Sequence, residues 1–139
     1  MNGMIIKRFF KSLFALIGLI PLMLAALPPL SARARQEKAE QIVSGTVQDV
    51  YRREVRKGEG SNLEYVALLT VDKVEKGFWI SAPVFVYVHY WQVGKRPKGW
   101  TGPQGQSAGL EPGTRVRVFS RLDELGRSQL LEPNGWEPL

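Results

Sequence analysis

Three side chains in one short stretch are spaced to act together. Tyr87, His89 and Trp91 alternate with Val84, Val86 and Val88, so an extended chain places the rings side by side on one face, next to Phe85. Immediately beyond, Trp91 and Trp100 bracket Lys95, Arg96 and Lys98. Planar rings beside cations stack on sugars, on peptide side chains or on bases, and a guanidinium stacks on an indole. Tyr87, His89, Trp91, Arg96 and Trp100 therefore form a candidate ligand-binding set. The competing expectation is that the following loop folds back over the rings and turns them into a second small core, leaving the cations merely solvated.

The same residues offer little for catalysis. His89 is the only histidine, and no carboxylate lies within six positions of it. That leaves it short of partners for a zinc site and without a visible nucleophile or acid to work with. Asp72, Glu75, Asp123 and Glu124 have no spacing that suggests a carboxylate pair. There is no phosphate-cradling glycine loop and no nucleophile elbow. With no cysteine there is also no disulfide, thiolate metal site or cysteine nucleophile. The sequence predicts no enzyme, no metal and no cofactor.

The elements that must position the rings read as strands. Ile42 to Val55 and Leu63 to Val74 have period-two, β-branched character, and Lys57 to Asn62 between them has the composition of a turn. Gly45 inside the first strand predicts a bulge or a close backbone approach. Ala82 to Trp91, Arg115 to Arg121 and Ser128 to Glu132 complete five strands, the last two joined by a turn at Asp123 to Gly126. Arg115, Arg117 and Arg121 are expected outward and solvated, as are Arg52, Arg53, Arg56 and Lys57, which have Glu54 and Glu59 among them. From Gln92 to Gly113 six glycines and three prolines predict a long loop with no regular element. Asn134-Gly135 predicts a turn that returns Trp136 to cover an open end. No stretch of ten or more residues has a helical period. The fold class predicted is all-β, a small five-stranded OB-like Greek-key barrel over 42–139, because closure removes exposed sheet edges. A small sandwich is the competing topology.

The succession Val43-Ser-Gly-Thr-Val47, Leu69-Thr-Val-Asp-Lys-Val-Glu-Lys-Gly77, a valine-rich strand and Glu111-Pro-Gly-Thr-Arg-Val-Arg-Val-Phe119 resembles the netrin-like OB domains, the group that includes tissue inhibitors of metalloproteinases. It is also similar to uncharacterised bacterial secreted proteins. The resemblance implies the fold. It does not carry over the inhibitory mechanism, which uses an N-terminal cysteine that this chain lacks.

Ahead of the domain lies a leader. Lys7, Arg8 and Lys11 precede 21 uncharged residues, Ser12 to Ala32, and Ala32-Arg33-Ala34 has the small-x-small form of a cleavage site. Residues 1–34 are expected to be a signal peptide cut after Ala34 or Ala32, and residues 35–41 a linker or frayed helical turn. The alternative is an uncleaved anchor, with membrane contact through residues 12–32. The net charge of +6 belongs mostly to the leader, since residues 35–139 hold 15 Lys/Arg against 13 Asp/Glu. That near-balance and the export signal argue against nucleic acid as partner. The sequence thus predicts an exported module that binds a glycan or protein of the cell envelope or outside the cell. The alternative is an accessory envelope domain with its aromatic face buried.

Overall fold

A computed structural model describes residues 27–77 and 83–139, and residues 1–26, which hold most of the expected leader, lie outside it. Its largest feature is a hairpin of two 17-residue strands, β1 (Gln41–Lys57) and β2 (Gly60–Lys76). Only Gly58 and Glu59 separate them, and Gly58 takes a positive φ of 57° that a side chain would resist. The register between these strands shifts three times, between Ile42 and Val43, Ser44 and Gly45, and Val47 and Asp49. Gly45 stands at one of these shifts. A Cβ there would lie 2.1 Å from the Thr70 carbonyl oxygen, so the backbones approach more closely than any side chain allows.

Such shifts bend a strand, and the first half of β1 uses the bend to pair on both edges. It meets β2 on one side and β4 (Arg115–Leu122) on the other, from Gln41 opposite Ser120 to Thr46 opposite Arg115. β3 (Phe85–Val93) pairs antiparallel with β2, and β5 (Ser128–Leu130) pairs parallel with β3 and antiparallel with β4. Hydrogen bonding therefore closes a ring in the order β1, β2, β3, β5, β4 and back to β1.

The inside of the ring is filled by the alternate residues of each strand. Val43, Val47, Leu69, Val88, Val116 and Val118 are all less than 2% exposed or nearly so, and Ala67, Tyr90, Leu110 and Leu130 join them. Full burial of such aliphatic side chains is worth about 1.5–3 kcal/mol each. Tyr65 and Tyr90 stack with ring centroids 4.7 Å apart, and the Tyr90 hydroxyl accepts from the Leu110 amide at 3.1 Å. A second buried cluster, Ala39, Ile42, Phe119 and Leu131, has Leu30 packed against it.

Several sequence expectations need correction. Residues 35–41, expected to be a linker or a frayed helical turn, are the end of helix α1 (Ala32–Lys38) and the start of β1. Ser31 caps α1 by accepting from the Ala34 amide at 3.1 Å. Buried Arg35 anchors the helix through an ion pair to Glu137 at 2.8 Å, with its guanidinium 4.9 Å from the Phe119 ring. A helix this short has too few turns to register as a period, so tertiary contacts decide it. The strands number six among the described residues, because β6 (Trp136–Pro138) adds to β4 beyond β5. Trp136 packs on the main core, and its indole donates to the Ala108 carbonyl at 3.0 Å. Arg117, expected to be solvated, is half-buried and paired with both Glu75 and Glu137. The segment from Gln92 to Gly113 is not free of regular pairing either, since Gln92 bridges to Gly105.

Candidate ligand-binding face

Alternation along β3 separates two sets of side chains. Val86, Val88 and Tyr90 are buried inside the ring, whereas Phe85, Tyr87, His89 and Trp91 fall on the opposite face. The strand registers extend this outer face sideways. Tyr51, Val66, His89 and Gln129 form one row across β1, β2, β3 and β5, and Arg53, Glu64 and Trp91 form the next. In that second row Arg53 and Glu64 are ion-paired at 2.8 Å.

Two grooves share this face and meet at Val66, His89 and Arg127. One, of about 610 Å³, runs toward the β1–β2 hairpin past Tyr51, Arg52, Lys57, Asn62 and Trp91. The other, of about 510 Å³, runs the opposite way past Tyr87, Phe85 and Leu122. Tyr51, Phe85 and Tyr87 are 54%, 57% and 57% exposed, so this strip is not a second core. The fold-back anticipated as the alternative occurs at Trp91 alone. There Gln106 donates to the Trp91 carbonyl at 2.8 Å, and Gly105 lies so close that a Cβ would stand 2.9 Å from the indole and 2.2 Å from the carbonyl oxygen. Trp91 is consequently half-buried while its neighbours toward Phe85 stay open.

Arg127 reaches the meeting point because of the turn between β4 and β5. Asp123 Oδ1 accepts from the amides of Leu125 and Arg127, both at 2.9 Å, and Oδ2 accepts from the Arg127 guanidinium at 2.8 Å and the Gln129 side chain at 3.0 Å. These bonds, the one from Gln129 foremost, hold the Asp123 carboxyl far below the usual carboxylate range. Burial pushes the His89 imidazole below its ordinary value, and Arg127 adds to the shift, which favours the neutral ring. Burial pushes the Glu132 carboxyl up, against a smaller lowering by the Trp91 side chain, and its Oε1 has no hydrogen-bond partner.

Of the five residues singled out from sequence, Tyr87, His89 and Trp91 stand together on this face. Arg96 and Trp100 form a separate pair beyond its end. The Arg96 guanidinium lies 5.1 Å from the Trp100 ring and donates to the Ser61 carbonyl and to Asn62 Oδ1, while Trp100 is 46% exposed. Asn62 links the two groups, since it also lines the larger groove. Tyr51, Arg53, Arg127 and Gln129 belong to the face but carry no local signal of it. Only the registers across β1, β2, β3 and β5 bring them there. Among the described residues no three His, Cys, Asp or Glu side chains gather to hold a metal ion, and no helix is long and apolar enough to cross a membrane. Compared with family models, curated proteins and solved structures, the chain matches none.

Proposed function

We propose that this chain is an exported, non-catalytic binding module with an OB-like barrel, and that it takes an extended glycan or protein segment of the cell envelope across the outer face of β2 and β3. The observation that carries this is the outer-face strip Tyr51, Tyr87, His89 and Trp91, exposed at its two tyrosines and flanked by the β1–β2 turn and the β4–β5 turn. OB folds use the corresponding face and the corresponding two loops for oligosaccharides and oligonucleotides. The ring order with β3 and β5 parallel supports the barrel reading, and the netrin-like resemblance falls on the strands that form the ring. Export rests on the leader at residues 1–34. Rings able to stack, a neutral imidazole and the Gln129 amide suit sugar hydroxyls better than a phosphate backbone.

The test is tryptophan fluorescence with a soluble quencher, titrating glycans and peptidoglycan fragments, with Trp91→Phe and Trp100→Phe variants to assign the signal. Protection of Trp91 by one ligand class, lost in Tyr87→Ala and Tyr51→Ala, supports the module. No change with any glycan sinks the glycan branch. A second reading has its own observation, the exposed apolar pair Phe85 and Leu122 lining one groove, with Leu125, 77% exposed, in the adjoining β4–β5 turn. These side chains suit a protein partner and an accessory role, and a pull-down lost in Leu125→Asp with glycan binding intact would distinguish it.

A further inference from the structure

The ion pairs of this protein are unevenly placed. Seven of its described arginines are paired with carboxylates, on α1, on the row Arg53–Glu64, or around β4 and the β4–β5 turn. Nine described cations have no ion pair, and residues 1–26 and 78–82 contain no acid that could supply one. Six of the nine, Arg52, Arg56, Lys57, Lys95, Arg96 and Lys98, come from two stretches far apart in the chain that the fold docks together. Arg56 is opposite Ser61 and Lys57 opposite Gly60 in the hairpin. Ser61 donates to the Lys95 carbonyl at 2.8 Å, its hydroxyl accepts from the Lys95 amide at 3.0 Å, and its carbonyl accepts from Gly94 at 2.9 Å. Gly60 permits this approach, because a Cβ there would stand 2.2 Å from the Lys95 oxygen. Only Glu54 and Glu59 offset the charge at this end.

Two further features sit beside these cations. Trp100 is half exposed against Arg96. Leu27, where the described chain starts, is 55% exposed and lines a small cavity of about 250 Å³ with Pro103 and Gln104. The Gln104 carbonyl accepts from Val93, two residues before Lys95, at 3.1 Å. Leu27 is thus held against the segment that follows the basic loop. Clustered Lys/Arg attract anionic headgroups, and an indole is favoured at headgroup level.

We propose that this end, the β1–β2 hairpin tip with the 94–100 loop, docks on an anionic bilayer surface, with the cations at the headgroups and Trp100 between them. The proposal does not depend on the groove reading, and its cations and Trp100 all follow the expected leader in the chain. An exposed indole set among the cations suits a bilayer surface better than a soluble acidic chain, because an indole is favoured at headgroup level.

Sedimentation with vesicles tests it. A chain beginning at Leu27 keeps all six described strands and both described buried clusters and leaves out residues 1–26. It is expected to pellet with phosphatidylcholine vesicles containing a third phosphatidylglycerol, not with pure phosphatidylcholine, and to be released by high salt. Each cation removed should weaken partitioning about fivefold. The triple variant Lys57→Gln, Lys95→Gln, Lys98→Gln should therefore lose about a hundredfold. Lys38→Gln, Lys73→Gln, Lys76→Gln removes the same charge from unpaired cations elsewhere and should change little. Melting curves matching the parent keep both triples interpretable, and Trp100→Ala is a second, uncharged probe expected to weaken binding. Equal losses in the two triples, equal binding to neutral vesicles, or no sedimentation would each overturn the proposal. Binding to dextran sulfate without any vesicle sedimentation would also overturn it, in favour of a soluble polyanion.

Discussion

His89 and Gln129 stand directly opposite each other across the parallel β3–β5 pair, the one parallel pairing in the ring. That pairing joins the aromatic strand to the segment that follows the Asp123 turn, so the site and the closure of the ring share the same hydrogen bonds. Shortening the turn would disturb both. Arg127→Ala removes a groove-lining cation without touching the buried clusters. It should change stability by no more than about 0.5 kcal/mol, yet weaken ligand protection of Trp91 in the quenching assay. A large fall in melting temperature would make Arg127 a structural residue instead.

Tyr90→Phe keeps the ring stack with Tyr65 but removes the acceptor for the buried Leu110 amide. An unsatisfied buried donor costs about 1–3 kcal/mol. Denaturant titration should show that loss with an unchanged m-value. No loss would mean that water reaches the Leu110 amide.

Gly45→Ala tests the close approach of β1 to β2. The added Cβ meets backbone, which cannot swing aside as a side chain can. The expected cost is about 1–3 kcal/mol or more. An unaffected melt would show that the register shift at Ser44/Gly45 relaxes freely.

Deleting residues 134–139 removes β6, Trp136 and the Asn134 side chain, which donates to the Leu30 carbonyl at 2.9 Å and accepts from its amide at 2.8 Å. It also strips Arg35 of Glu137. Losing a packed Trp alone costs about 3–5 kcal/mol. The truncated chain should melt well below the parent in circular dichroism, and an unchanged melt would make Trp136 a surface residue.

The Glu132 carboxyl is raised by burial, so the folded state holds its proton more tightly than the unfolded chain. Its contribution is fully present below the unfolded carboxylate range and is lost as pH rises through the folded value. Glu132→Gln should therefore raise the melting temperature at pH 7 and leave it little changed under acid conditions. A variant that melts lower at pH 7 would show that the charged carboxylate has a partner.

Strand identity and facing were legible in the sequence because period-two alternation is a local property of the chain. That Val86 and Val88 share one face of the strand and Tyr87, His89 and Trp91 the other needs no second strand, whereas which face lies inside the ring was decided by the tertiary structure. The turn at Asp123–Gly126 was legible for the same local reason, as were the special role of Gly45 and a turn within Lys57–Asn62, which the structure narrows to Gly58 and Glu59. What tertiary structure alone decided is everything set by hydrogen bonds between distant residues. Leu30 meets Asn134, 104 positions away, which ties the residues just before helix α1 to the end of the chain. Lys95 meets Ser61, 34 positions away, which gathers two solvated-looking charge runs into one basic end. Tyr51, Arg53, Arg127 and Gln129 reach the aromatic face only through the pairings of β1 with β2 and of β5 with β3. Sequence chemistry chooses the local conformation. The choice of neighbour depends on which closure buries the most apolar surface with every backbone group paired, and that is a property of the whole ring.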